Sequence, residues 1–445
     1  MTKTEKEHYD AVIVGSGPGG ATVARELSRR KKRVLILEWG SDEPIRGTTW
    51  QTLKMATLPG KNALITNGGL LMIRGTTLGG SSTFYYATVF DPPFAMLKSH
   101  GIDIIDEIRE ARKELPTDPL RDELVGPLST RIMESACDLG YQWEKMPKFI
   151  FQDKCRINCD KCTLGCPYEA KWTARNYVAE ALAGGARLLP RARATKVIVE
   201  KGKAIGVEYR HGGKQHQILA PQIIVSAGGI GTPVLLRASG IANAGSDLFY
   251  DPLIMVMGTV SDIKTGGEIP MSAGMHLEDE GIMMTDLTIP RILYSAFTAE
   301  VMRFDRLLAH SRTLSIMIKI RDRLGGRITD RGGLRKGLSA DDRKKLARGE
   351  EIARKILKNA NATHIFKSWY IAAHPGGTAK IDDVIDRNLK TEYDNLYVCD
   401  CSVIPEECGV PPTLTIVSLG KRLAKHLAGE TEKPARKKTK KSSVS

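Results

Sequence analysis

The sequence predicts an α/β protein in which a nucleotide-binding domain of Rossmann type is interrupted by an inserted mixed α+β substrate domain. Three observations carry this expectation. A strand, glycine turn, helix and second strand follow one another near the N-terminus, a short buried strand and a helix close the chain, and the residues between them follow a different pattern. The 445 residues are enough for two domains of ordinary size. The expected division is 1–250 with 371–430 for the nucleotide domain, including a cysteine-rich segment at 155–167, then 251–370 for the substrate domain and 431–445 for a disordered basic tail.

Taken in order, Ala11-Val12-Ile13-Val14 is an apolar run of strand length, Gly15 to Gly20 is a turn, Ala21 to Arg30 is helical, and Val34-Leu35-Ile36-Leu37 is the next strand. Gly15-Ser16-Gly17-Pro18-Gly19-Gly20 thus sets G-x-G-x-x-G directly after a strand and at the start of a helix. Glycines there let the backbone approach a pyrophosphate, whose charge is met by the free N–H groups and dipole of the helix. Glu38 closes the second strand about twenty residues later, where an acidic side chain hydrogen-bonds ribose hydroxyls and disfavours a 2′-phosphate. Gly15, Gly17, Gly20 and Glu38 are therefore expected to hold a dinucleotide.

The glycine- and threonine-rich stretch from Gly47 to Asp91 suggests an extended segment wrapped over a ligand. Ile104 to Leu115 and Leu128 to Leu139 read as amphipathic helices, and Trp172 to Leu182 as another. Lys196 to Tyr209 and Gln217 to Ser226 read as strands about a Gly212-Gly213 turn. From Phe249 to Tyr370 come apolar strands, a basic segment and a helix at Ala340 to Lys358. Leu396-Tyr397-Val398 then gives a strand and Thr415 to Leu427 the closing helix.

The formal charge is +15, but much of the excess lies in Arg303 to Lys358 and Lys433 to Lys441. The tail lacks an apolar pattern and reads as solvated and disordered, so no nucleic-acid partner is expected, and a membrane surface is at most a peripheral contact. No run approaches the ~20 apolar residues that span a bilayer, and Met1 to Tyr9 is unlike a signal, so a cytoplasmic protein is expected. Eight cysteines fall as Cys155, Cys159, Cys162 and Cys166; Cys399, Cys401 and Cys408; and Cys137 alone. Without an export signal such grouping favours metal or redox chemistry over structural disulfides. Cys155-x3-Cys159-x2-Cys162-x3-Cys166-Pro167 resembles the run of bacterial ferredoxins except in its first gap. Its four sulfurs could hold a [4Fe–4S] cluster or zinc, or be metal-free or disulfide-paired structural cysteines. Cys399, Cys401 and Cys408 read as small buried residues, with further ligands or redox thiols as the alternative.

Four segments resemble one family. Arg74-Gly75-Thr76-Thr77-Leu78-Gly79-Gly80-Ser81-Ser82 is similar to the flavin-contact signature of the glucose-methanol-choline (GMC) oxidoreductases. Ala227-Gly228-Gly229-Ile230-Gly231-Thr232-Pro233-Val234-Leu235-Leu236 resembles their second signature. His374-Pro375-Gly376-Gly377-Thr378 resembles their catalytic-histidine segment, and Asn395 to Pro405 their closing flavin segment. The resemblance implies FAD as the dinucleotide, with Arg74, Gly79, Gly80, Ser81, Ser82, Val197, Asp400, Pro412 and Thr413 among its contacts. It implies His374 as general base, taking a hydroxyl proton as hydride leaves carbon for the flavin N5.

The sequence departs from the family twice. Pro411 stands where an Asn or His partner of the catalytic histidine is usual, and Tyr85 where the first signature has asparagine. A cysteine-rich segment also occurs in some family members, here with Gly165-Cys166-Pro167 and Ala170-Lys171. The function implied is an FAD-dependent dehydrogenase oxidising a CH–OH group of a small organic substrate. Its electrons would pass to an external acceptor, a protein carrier or quinone, with the sulfur cluster as a one-electron exit. The alternatives are a flavin electron-transfer protein and a flavin reductase of a C=O or C=C bond.

Overall fold

The computed structural model describes residues 8–265 and 267–430. Its first unit is β1 (Ala11–Val14), α1 (Pro18–Arg29) and β2 (Val34–Leu37). Both strands are buried at every position, as apolar runs covered on two faces should be. Helix α1 begins earlier than expected, at Pro18, because proline is well suited to a first turn whose N–H groups have no helical partner. These strands belong to a five-stranded parallel sheet in the order Leu396–Val398, Ile223–Val225, β1, β2, Arg187–Leu189. The edge strand from the C-terminal region shows that both ends of the chain build this layer.

Helices Ala174–Ala183 and Thr413–Leu427 pack on α1. Charges are buried between the elements there. Arg25 contacts Glu114 at 2.8 Å and Glu180 at 2.6 Å, while Lys421 contacts Glu26 at 3.2 Å and Glu114 at 2.9 Å. Burial raises the Glu114 carboxyl, but Lys421 and Arg25 outweigh it and hold it at about 2. Removing one partner of a buried cluster strands the others, so Lys421→Ala is expected to cost about 3 kcal/mol at neutral pH. Because Glu26 and Glu114 are depressed in the folded state, their contribution is present above the unfolded value of 4.5 and is lost as pH falls through the folded one. The stability gap between the native protein and Lys421→Ala should therefore shrink as pH falls from 4.5 towards about 2. Urea denaturation across that range measures it.

The second layer is a mixed sheet running Ala63–Ile65, Leu71–Ile73, Ile371–Ala372, Pro252–Thr259, Thr313–Ile320, Ile282–Asp286, Ala273–Leu277, Glu144–Lys145, with Thr363–Lys367 also paired to Pro252–Thr259. It is not confined to 251–370, since it takes strands from the 63–73, 144–145 and 371–372 regions. One face, with Ile254, Val256, Ile316 and Ile318, is covered by helices Pro127–Asp138 and Ala340–Asn359. The other carries Leu253, Met255, Met257, Met283 and Met317, packed with Tyr294 of the helix Arg291–Glu300.

Three local expectations are corrected. Lys196 to Tyr209 is a hairpin of Arg193–Glu200 and Lys203–His211, because Lys201 and Gly202 turn the chain with φ of 49° and 77°. Gln217 to Ser226 divides between Lys214–Leu219, in a separate three-stranded sheet, and Ile223–Val225. The 47–91 segment is not wholly extended: it contains the helix Thr49–Ala56, started by the Thr48 side chain accepting from the Gln51 N–H. The expected tail 431–445 lies outside the described residues, among which no helix is long and apolar enough to cross a membrane.

Candidate active site

The carboxyl ends of β1, Ile223–Val225 and Leu396–Val398 lie side by side, so Gly15, Ser226 and Cys399 meet along one edge. Open parallel sheets bind ligands in the crevice beyond that edge. A Cβ added to Gly20 would fall 2.1 Å from the Gly15 carbonyl oxygen, so only glycine lets α1 approach the turn this closely. Gly17 is the opposite case. A Cβ there meets nothing within 4 Å, so the middle of the loop faces open space beside the free N–H groups of α1. An approaching pyrophosphate fits that space and that charge.

Glu38 lies beneath the loop, accepting from the Ser16 N–H at 3.1 Å, the Ser16 hydroxyl at 2.6 Å and the Gly40 N–H at 2.6 Å. Burial raises its pKa, and these donors work against the shift. Ser16 Oγ also accepts from the Gly79 N–H at 3.0 Å, which draws the 75–83 segment onto the turn and brings Gly80 beside Gly17. Ser81 and Ser82 shape that segment: Ser81 Oγ accepts from the Gly75 N–H, and Ser82 Oγ donates to the Gly79 carbonyl. Asp400 joins the far side of the crevice, accepting from the Gly228 N–H at 2.8 Å, Thr232 Oγ1 at 2.5 Å and the Ser402 N–H at 2.8 Å. Pro412 caps the helix that begins at Thr413.

Two further expected contact residues also make contacts within the chain. The Val197 N–H donates to Ser239 Oγ at 2.8 Å. Arg74 lies 5.6 Å from the Trp39 ring and donates through Nε to the Lys61 carbonyl, with burial, then Arg193, holding it down to about 10.

His374 reaches the crevice through its own segment. A Cβ on Gly229 would lie 1.9 Å from the Pro375 carbonyl oxygen, Thr378 Oγ1 donates to the Gly229 carbonyl at 2.8 Å, and the Gly377 N–H donates to the Cys401 carbonyl at 3.2 Å. The segment that carries the imidazole thus packs against Gly229 and Cys401. Its Nδ1 lies 2.9 Å from Asp251 Oδ2, and Lys319 Nζ lies 3.2 Å from the same oxygen and 3.5 Å from Nδ1. Asp251 Oδ1 accepts from the Gly409 N–H at 3.1 Å. Asp251 and Lys319 have side chains 0% and 1% exposed, whereas that of His374 is 29% exposed. Burial first, then Lys319, lower the imidazole below its ordinary value, with Asp251 opposing them. Burial raises Asp251, but Lys319 and His374 outweigh it and leave the carboxyl depressed.

Sequence reasoning missed Asp251 and Lys319. Lys319 had left a signal, as the single charge in the strand Thr313–Ile320, buried throughout; Asp251 left none. Tyr85 supplies no polar partner here, since its hydroxyl donates to the Trp172 carbonyl at 2.8 Å.

The four-sulfur site is not assembled. Cys162 and Cys166 are buried, Cys155 and Cys159 partly so, and all are free thiols. Among the described residues no three His, Cys, Asp or Glu side chains converge to hold a metal ion. Burial first, then neighbouring sulfurs, push Cys155 up to about 12; burial pushes Cys162 up to about 11 against the pull of Lys171. The loop is organised instead around the Lys171 ammonium, which donates to the carbonyls of Cys162, Thr83 and Tyr85 at 2.6, 2.9 and 2.9 Å. Cys399 is fully buried, with its carbonyl accepting from Ser226 Oγ at 2.8 Å.

Comparison with known proteins agrees with this geometry. Family profiles described as GMC oxidoreductase match residues 9–253 and 333–420. The chain is similar to an uncharacterised protein of Methanocaldococcus jannaschii, 28% identical over 94% of this chain and 100% of that one. It is also similar to a long-chain-alcohol oxidase of Arabidopsis thaliana, 25% identical over 94% of this chain and 68% of the other. Among solved structures, pyridoxine 4-oxidase from Mesorbium loti superposes with a TM-score of 0.74 at 17% identity, covering 96% of this chain and 100% of its own. Formate oxidase of Aspergillus oryzae does so at 0.71 and 15%, covering 96% and 99%. At such identity these two speak for the fold.

Proposed function

The chain belongs to the GMC oxidoreductase family and is an oxidoreductase acting on CH–OH donors; from that premise we propose that it binds FAD along the glycine crevice and oxidises an alcohol with His374 as general base. The observation that carries this reading is the imidazole itself, 29% exposed on a segment packed against Gly229 and Cys401, with its Nδ1 held by a buried carboxylate. Gly15, Gly17, Gly20 and the start of α1 would face the pyrophosphate and Glu38 the adenosine ribose. Gly79, Gly80, Ser81, Ser82 and Asp400 would line the remainder, with Arg74, Val197, Pro412 and Thr413 at its margins.

With Nδ1 turned to Asp251, the lone pair of a neutral imidazole lies at Nε2, on the side away from that carboxylate. A substrate hydroxyl placed there gives its proton to Nε2 as the carbonyl forms. FAD, when bound, supplies the two-electron acceptor for the hydride that leaves carbon. The lowered pKa keeps the ring in its basic form at neutral pH. Electrons then pass to an external acceptor, a protein carrier or quinone.

The substrate beyond its hydroxyl is an alkyl chain on this reading, in line with the similarity to a long-chain-alcohol oxidase. Anaerobic titration with linear primary alcohols should bleach the flavin, and longer chains should do so at lower concentration. A flavin that every alcohol leaves oxidised would instead favour an electron-transfer protein.

A further inference from the structure

Pro411 removes the side-chain partner that a catalytic histidine would need, yet the structure surrounds His374 with charge from another direction. Asp251 Oδ2 is shared by two donors, His374 Nδ1 at 2.9 Å and Lys319 Nζ at 3.2 Å. The shorter contact between Nδ1 and a carboxylate requires a proton on Nδ1. The ammonium, 3.5 Å from that nitrogen, cannot also donate to it, and its attachment is to the carboxylate.

Asp251 is itself over-determined. It sits in the left-handed region with φ of 47°, its N–H donates to Asp322 Oδ1 at 2.9 Å, and its Oδ1 accepts from Gly409. Asp322 is in turn paired with Lys336. The remaining ionisable neighbours of this group are the Cys401 and Cys408 thiols, both pushed up by burial, with His276 and Arg321 nearby. Lys319 is therefore the cation nearest the imidazole.

We propose that Asp251 and Lys319 are the positioning residues of His374: the carboxylate fixes the tautomer that leaves Nε2 free, and the ammonium keeps the ring uncharged. Together they stand in for the partner that Pro411 cannot provide. When Nε2 takes the substrate proton, the imidazolium shares Asp251 with a second cation, which favours release of that proton once the carbonyl has formed.

This inference rests on His374 being the base, and the test separates the two claims. His374→Ala, Lys319→Met, Lys319→Arg and Asp251→Asn would be loaded with FAD. The rate of flavin reduction by alcohol would be followed against pH, and the His374 tautomer read by nitrogen-15 NMR of labelled histidines. The native protein should show a protonated Nδ1 and a bare Nε2.

Lys319→Met should move the acidic limb of the rate profile to higher pH with the plateau rate recovered there, and Lys319→Arg should restore the native limb. Asp251→Asn should lose the Nδ1–H tautomer and slow reduction at least about 100-fold at every pH, because the base then presents the wrong nitrogen. Should Lys319→Met not fold, the doubly neutral variant carrying Lys319→Met and Asp251→Asn must still lose the Nδ1–H preference. An acidic limb unmoved by Lys319→Met, or a tautomer unmoved by Asp251→Asn or by the doubly neutral variant, overturns the positioning role alone. Native reduction rates in His374→Ala overturn the base assignment beneath it.

Discussion

Replacing His374 with alanine is expected to slow alcohol-driven flavin reduction by about 10² to 10⁴, the usual contribution of a positioned general base, while leaving the amount and spectrum of bound FAD unchanged. The imidazole's polar contacts are with Asp251 and Lys319, which stay paired with each other without it, and the segment is held by backbone and by Thr378. Its removal should therefore cost chemistry and little stability. Stopped-flow anaerobic mixing resolves the reduction step, and a rate within about threefold of native would assign the proton to another group. A parallel loss of FAD would show that the ring supports the cofactor rather than the reaction.

The second large effect is a contrast between two glycines of one motif. Gly20→Val pushes a side chain against the Gly15 carbonyl, where even a Cβ would sit 2.1 Å away, and neither α1 nor β1 can move without disturbing a fully buried sheet. A loss of more than about 4 kcal/mol is expected, seen as insoluble or unfolded protein. Gly17→Val places its methyl groups where nothing lies within 4 Å. Its φ of −65° and ψ of 179° suit any residue, so the fold should survive with stability within about 1 kcal/mol of native. The same methyl groups occupy the space the pyrophosphate would need, so FAD affinity should fall at least about 100-fold, or some 2.7 kcal/mol.

What could be read in the sequence was what lies close along the chain. The β1–α1–β2 unit, its glycines and Glu38 are set by local period and by turn chemistry, and the structure places them at one edge. The closing strand and helix were legible for the same reason, since a short apolar run with a following amphipathic stretch permits little else. Asp251 was not legible, because it meets His374 across 123 residues and through a sheet whose register no local pattern states. The same sheet drew Ala63–Ile65 and Glu144–Lys145 from outside the expected substrate domain. Strand pairing is a long-range choice. The cysteines show the converse case: their spacing is local and suggestive, but among the described residues their side chains do not converge into a metal-holding group, and Lys171 is satisfied by three carbonyls around them. Spacing alone says nothing about how side chains converge in space.

The central claim is that a flavin dinucleotide lies against the glycine turn at the start of α1, within reach of His374. Equilibrium titration of the purified native protein and of Gly17→Val with FAD, followed by the flavin's visible absorbance, tests it most directly. One FAD per native chain, with binding lost in a Gly17→Val protein that remains folded, is the expected result. A native chain that takes up no FAD, or a folded Gly17→Val chain that binds it as tightly as native, would contradict the claim.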